Sequence, residues 1–111
     1  MSPRSERERI QDIVRAIDVI GQHREHAHDV GLSPNDSLVL DAVVRQLAII
    51  GEAASHLSED LTTRHDQIRW RGVKGMRLML DHEYHRVDAG IVWRTVDEDL
   101  PALRSALAKE L

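Results

Sequence analysis

The chain has 111 residues, 41% of them apolar, with no cysteine and no phenylalanine; Tyr84, Trp70 and Trp93 are its only aromatics. One domain spanning residues 1–111 fits that length, and the missing thiols exclude a disulfide scaffold, a thiolate zinc site and cysteine catalysis. Fifteen Lys and Arg stand against nineteen Asp and Glu, a formal net charge of −4, which argues against a surface that holds nucleic acid indiscriminately.

From about Arg4 to His28, Ile10, Ile13, Val14, Ile17 and Ile20 recur at three- and four-residue spacing, with Arg7, Arg9, Asp12, Arg15 and Asp18 between them. That is the period of an amphipathic helix. At its start, Arg4, Arg7 and Arg9 alternate with Glu6 and Glu8, the pattern of a salt-bridged exposed face. Its end carries His23, His26 and His28, followed by Asp29. Neutral imidazoles one turn apart could bind Zn or Ni, but His23 and His26 share a face, His28 lies off it and no proper fourth ligand is evident, so no metal or other cofactor is expected. Histidines near a helix C-terminus also suit the macrodipole.

Gly31 and Ser33-Pro34-Asn35-Asp36 break and restart the chain, with Ser33 or Asn35 as the N-cap of a second helix. It runs to about Leu57 and has one stripe of Leu40, Val43, Val44, Leu47, Ile50, Ala54 and Leu57 and another of Val39, Ala42, Ile49 and Ala53. A helix apolar on two faces is central to its bundle or half committed to an oligomer interface, and both are expected here. Glu52 is an acid on this apolar helix. It either pairs with Arg77 or Arg45, holding a guanidinium in place, or stands on the helix rim.

Residues 58–67 are polar without clear period and read as a connection with room for a turn of helix; His56 and His65 read as surface residues. A third helix is expected from Trp70 to about Asp81, with Val73, Met76, Leu78, Met79 and Leu80 as its apolar members. The last stretch, from Asp88 to Leu111, has Val92, Val96, Leu100, Leu103, Leu107 and Leu111 on one stripe and Pro101 within it, where a kink or a new turn is expected. No segment alternates long enough for a strand. The chain therefore reads as an all-α, up-and-down bundle of four to five helices, with Trp70 and Trp93 as core anchors. No cationic start leads into an apolar run, so neither a signal peptide nor a membrane span is expected, and the expected location is cytoplasmic.

Charge is uneven along this chain. Between Leu61 and Arg77, Arg64, Arg69, Arg71, Lys74 and Arg77 stand against Asp66 alone, a net of +4 that leaves −8 for the remainder. A cationic segment on an acidic protein is a focused anion site, or else a solvated basic face. It leads into Arg77-Leu78-Met79-Leu80-Asp81-His82-Glu83-Tyr84-His85-Arg86. On one continuous helix Arg77 and His82 would lie about 140° apart; they converge only if the helix ends between them or if a second copy supplies the missing neighbour. An arginine fork, a near-neutral histidine and a tyrosine hydroxyl suffice for phosphodiester cleavage without a metal.

This segment resembles the Arg-x4-His-x-Tyr signature of the HepT family, the toxin half of HEPN/MNT toxin–antitoxin pairs. The flanks are similar too: Ile50-Gly51-Glu52-Ala53-Ala54, Trp70-Arg71-Gly72-Val73-Lys74-Gly75-Met76, Val87-Asp88, Val92-Trp93 and Asp99-Leu100-Pro101-Ala102-Leu103. The resemblance implies a HEPN-like homodimer whose two motif copies face one cleft. It implies a metal-independent endoribonuclease that leaves cyclic-phosphate ends, with Arg77 and His82 catalytic and transfer RNA as a possible substrate class. Tyr84 would be the hydroxyl to which a cognate minimal nucleotidyltransferase antitoxin attaches AMP. Arg69, Arg71 and Lys74 are the cations expected to hold RNA, and Glu52 is a supporting residue. The chain departs from the family pattern at Leu78, where a polar residue, commonly Asn, is usual, and at Arg69, where Pro is usual. Leu78 favours the alternative of a catalytically inactive helical dimer that binds a nucleotidyltransferase or a nucleotide.

Overall fold

In the computed structural model, which describes residues 3–80 and 87–111 and, at Leu80, the backbone alone, the first helix begins on a capping box. Ser5 Oγ accepts from Glu8 N, and Glu8 Oε1 accepts from Ser5 N, so each of two otherwise unpaired N–H groups is satisfied by the other residue's side chain. Helix α1 then runs Glu6–Asp29 and buries Ile10, Ile13, Ala16, Ile20 and Ala27. The charges at its start do more than the expected alternating ion pairs. Glu8 is a cap, Glu6 accepts from Ser58 N across the fold, and Arg4 pairs with Asp12 at 2.8 Å.

Helix α1 ends at Gly31, whose φ of 77° an L side chain rarely adopts. Leu32 N donates to Ala27 O and Gly31 N to His28 O, a Schellman closure that satisfies two terminal carbonyls. The next N-cap is Asp36, with its carboxylate accepting from Leu38 N; Ser33 Oγ accepts instead from Asn35 N, one turn earlier. Ser33 and Asn35 are thus turn residues, not caps. They are spent on folding the loop back so that Asp36 reaches the helix start.

Helix α2, Ser37–Ala54, is the centre of the bundle. It packs along α1 and also meets the segment 70–80 and the helix that follows residue 88. Val39, Leu40, Val43, Val44, Leu47, Ala48, Ile50, Ala53 and Ala54 are all buried on it. Of the second stripe, Val39 and Ala53 are buried inside one copy, Ala42 is half-buried and Ile49 is exposed, as is Leu38 at the helix start.

The polar connection holds a short helix, α3, Glu59–Arg64, capped by Ser58 Oγ and anchored by buried Leu61. Helix α4 spans Trp70–Gly75, and the chain then tightens into a 3-10 helix over Met76–Leu80. The final stretch divides into α5, Ala89–Glu98, and α6, Leu100–Ala108. Pro101 falls in the first turn of α6, where its missing N–H would have had no partner. Every regular element among the described residues is helical, and none of their helices is long and apolar enough to cross a membrane.

Ion pairs tie the C-terminal helices back to earlier elements: Arg24 with Asp97, Arg104 with Asp18, Arg69 with Asp99, and both Arg64 and His65 with Glu110. His65 is buried, not on the surface, with 9% of its area exposed. Its Nε2 lies 2.7 Å from Glu110 Oε2, which satisfies a ring nitrogen that burial would otherwise leave unpaired. Hydrogen bonds first from Arg64 and then from His65 hold the Glu110 carboxyl down at about 2. A carboxyl depressed in the folded state contributes stability above its unfolded value, near 4.5, and loses it as the pH falls towards the folded one. Glu110→Gln is therefore expected to lower the urea midpoint at pH 7, and the gap from wild type should close between about pH 4.5 and pH 2. Urea titrations of both proteins across that range check this.

Candidate active-site face

The segment 70–80 is laid down with a three-residue repeat. Trp70 and Met79 pack against the core, and Val73 and Met76 are buried in it. Arg71, Lys74 and Arg77 each follow one of these inward residues by one position, so the cations run along one edge of the buried stripe. In the 3-10 part, residues three apart eclipse one another. This winding also explains Leu78, expected among the apolar members but 58% exposed: Met76 and Met79 occupy the inward positions on either side of it.

Two features hold the segment down. The Trp70 indole N–H donates to both Thr62 O at 3.1 Å and His65 O at 3.0 Å, fixing α4 to the end of α3. On the other side lies Gly51 of α2. A Cβ there would overlap the backbone nitrogen of Arg77 and stand 3.0 Å from both Lys74 O and the carbonyl carbon of Met76. A glycine inside a helix costs roughly 0.5–1 kcal/mol relative to alanine, and at Gly51 it admits direct backbone contact between the two elements.

The five cations of the segment divide in two. Arg64 and Arg69 are ion-paired, with Glu110 and Asp99. Arg71, Lys74 and Arg77 have no carboxylate partner within 4 Å among the described residues. Arg71 and Arg77 are exposed and Lys74 is half-buried. Arg69 remains 80% exposed on its side chain, yet its guanidinium is already engaged at 2.8 Å. Beside them, a Cβ added at Gly72, between Arg71 and Lys74, or at Gly75, between Lys74 and Arg77, would meet open space.

Glu52 lies one residue past Gly51, but its carboxylate is bonded to His56 Nε2 at 3.0 Å, four residues on and just past the end of α2. It pairs with neither Arg77 nor Arg45; it stands on the helix rim. Trp93 donates to Pro34 O, and Arg24 lies over its ring at 4.4 Å, so this indole anchors α5 to the 31–36 loop. No group of three His, Asp or Glu among the described residues converges as a metal site, the His23, His26 and His28 cluster included. His82 and Tyr84, with Glu83 and His85, lie outside the described residues.

Sequence reasoning placed Gly51 only in a motif flank. The missing signal was spatial: a glycine at an inward position of a helix otherwise lined by Leu, Val and Ile marks a close backbone approach. His65 gave no sequence sign of its burial, because its partner Glu110 lies 45 residues away.

The chain is 37% identical to “Probable ribonuclease HepT” of Thermococcus cleftensis over 96% of either chain. Two further relatives carry the name “Putative RNase”. The one from Caldanaerobacter subterraneus is 36% identical over 68% of each chain. The other, from Methanocaldococcus jannaschii, is 33% identical over 63% of this chain and 64% of its own. No solved structure gives a significant match. The family model described as “Ribonuclease HepT-like” matches residues 8–110, so the chain belongs to the HepT-like ribonuclease family.

Proposed function

We propose that the protein is the toxin of a toxin–antitoxin pair, a metal-independent endoribonuclease in which Arg77 and His82 carry the chemistry. The observation that supports this most is the match to the HepT-like ribonuclease family over nearly the whole chain, together with the exposed edge of Arg71, Lys74 and Arg77 on α4 and the 3-10 helix.

In this reading the ribose 2′-oxygen attacks the adjacent phosphorus and the 5′-oxygen leaves, giving a 2′,3′-cyclic phosphate. His82 takes the proton from the hydroxyl or returns one to the leaving oxygen. Arg77 places its fork on the phosphate and stabilises the charge that builds in the five-coordinate transition state. Two copies of the chain form a homodimer, and their motifs face one cleft.

Arg71 and Lys74 hold the RNA backbone, with transfer RNA a candidate substrate. Arg69 contributes less than its charge suggests because Asp99 occupies it. A nucleotidyltransferase antitoxin transfers AMP from ATP to the Tyr84 hydroxyl, releasing pyrophosphate. The added phosphate and nucleoside then fill the cleft and repel RNA.

Purified protein is expected to cleave RNA in EDTA. Coexpression with the cognate nucleotidyltransferase should add AMP to the Tyr84 peptide, as read by mass spectrometry, and abolish that cleavage. Neutralisation with Tyr84 unmodified would mean masking instead. Removing Arg71 and Lys74 together should lower the slope of log Kd against log salt by about 1.4, at roughly 0.7 per phosphate contact on single-stranded RNA. Removing Arg69 should change it by less. Filter binding from 50 to 300 mM salt (on the order of a sixfold range) reads both.

One observation favours a second reading. Leu78 presents an exposed apolar side chain directly beside Arg77, as a helical dimer built to dock a nucleotidyltransferase would. That reading predicts a stable complex with the partner and no RNA cleavage under any condition.

A further inference from the structure

We propose that Gly51 of α2 is a positioning residue for Arg77. By leaving the 3-10 backbone in direct contact with the central helix, it sets where the guanidinium stands against the phosphate. The inference rests on the ribonuclease reading above and adds the element that aims its arginine.

Arg77 is exposed, and no carboxylate among the described residues orients its side chain. The placement of its backbone sets the region that its side chain can reach. That backbone is fixed from two sides. Met76, immediately before it, is buried with 2% of its area exposed, which pins the segment from within the core. Gly51 lies against the Arg77 nitrogen itself, with Lys74 O and the Met76 carbonyl carbon at 3.0 Å from where a Cβ would be.

All three atoms are backbone, so none can swing aside as a side-chain tip would. A methyl at residue 51 must displace either α2 or the 74–77 backbone. Helix α2 is the less free to move, because it packs on α1, α4 and α5 as well. The 3-10 helix, with its poorer hydrogen-bond geometry, takes up the shift. An arginine moved by about 1 Å loses its alignment with the phosphate, and misplacements of that size cost on the order of 100-fold in rate.

Gly51 touches neither RNA nor the reacting atoms; Arg71 lies outside the displaced 74–77 backbone, and the flexible Lys74 side chain takes up a shift that the fork of Arg77 cannot. Turnover and binding should therefore separate. Gly51→Ala is expected to lower the single-turnover cleavage rate at saturating protein by about 100-fold and to change RNA Kd by no more than about threefold, within the context-dependence of single contacts. Ile13→Val, a mild core change in α1, serves as the control for lost stability, and it should leave the rate of the folded fraction unchanged.

If Gly51→Ala yields no folded protein, Met76→Val takes its place: it loosens the same backbone from the core side, and the same split between rate and affinity is expected. An amide hydrogen-exchange measurement on the peptide containing residues 74–77 gives a readout independent of activity. Faster exchange there than in the Ile13→Val protein supports the inference. Cleavage by the substituted protein at the wild-type rate overturns it, and so does a rate loss matched by the Ile13→Val protein. If wild-type protein cleaves no RNA, the ribonuclease reading fails and the role of Gly51 in turnover falls with it. If wild type cleaves and Gly51→Ala cleaves equally well, only the positioning role fails.

Discussion

Arg77→Ala is expected to slow RNA cleavage by about 10²–10³-fold, the loss typical of removing one preorganised donor to a developing negative charge. Arg77 stands exposed at the start of the 3-10 helix, with its backbone pressed on Gly51 and its side chain unpaired among the described residues. The loss should fall on the maximal single-turnover rate. RNA affinity should change only slightly, because Arg71 and Lys74 remain. Arg77→Lys separates charge from geometry. Lysine restores the cation without the planar two-pronged fork, so its rate should lie between wild type and the alanine variant. Equal rates for lysine and arginine would mean that a point charge suffices. Single-turnover time courses with labelled RNA, at protein concentrations far above Kd, make the comparison.

The second large effect belongs to His82. Proton transfer by a positioned side chain contributes about 10²–10⁴-fold, and His82→Ala should lose a factor in that range. If Arg77 and His82 act on one transition state, their losses will not add. The double variant should be little slower than the slower single one, as expected of residues working as a unit. His85 is close enough in sequence to take over the proton in the His82→Ala protein. Residual activity that disappears in the His82→Ala, His85→Ala double variant would identify that substitution of roles. A full wild-type rate in the His82→Ala protein would remove histidine catalysis from the account.

How far the sequence carries the fold can be seen element by element. The long helices α1 and α2 were readable because a stripe repeated over 18 or more residues leaves no other period. The Pro101 break was readable as well, since proline excludes a continuous helix at that point. Short elements were harder. Helix α3 has six residues and one buried side chain, Leu61, too little for a periodic signal. The passage from α-helix to 3-10 helix at Met76 leaves only a change of spacing by a fraction of a residue. That fraction was enough to place Leu78 inside on paper and outside in the structure.

At the candidate site, the residue types were legible but their partners were not. Five cations between residues 61 and 77 look equivalent in a sequence. Folding distinguishes them, because Asp99, between α5 and α6, and Glu110, after α6, occupy Arg69 and Arg64. Glu52 likewise looked able to reach an arginine, whereas its carboxylate is bonded to the His56 ring, four residues on. Long-range partners of this kind depend on how the helices close on each other, which hydropathy does not encode. The net charge of −4 is thus compatible with a confined basic edge: part of the cationic charge is neutralised within the fold, and Arg71, Lys74 and Arg77 are left without a carboxylate partner among the described residues.

The most direct test of the account is the chemistry of the 3′ ends left on RNA cut by the purified protein in EDTA. The account predicts 2′,3′-cyclic phosphate, formed by the wild type and absent from the Arg77→Ala, His82→Ala double variant. A 3′-hydroxyl end, or cyclic phosphate produced equally by that double variant, would contradict it.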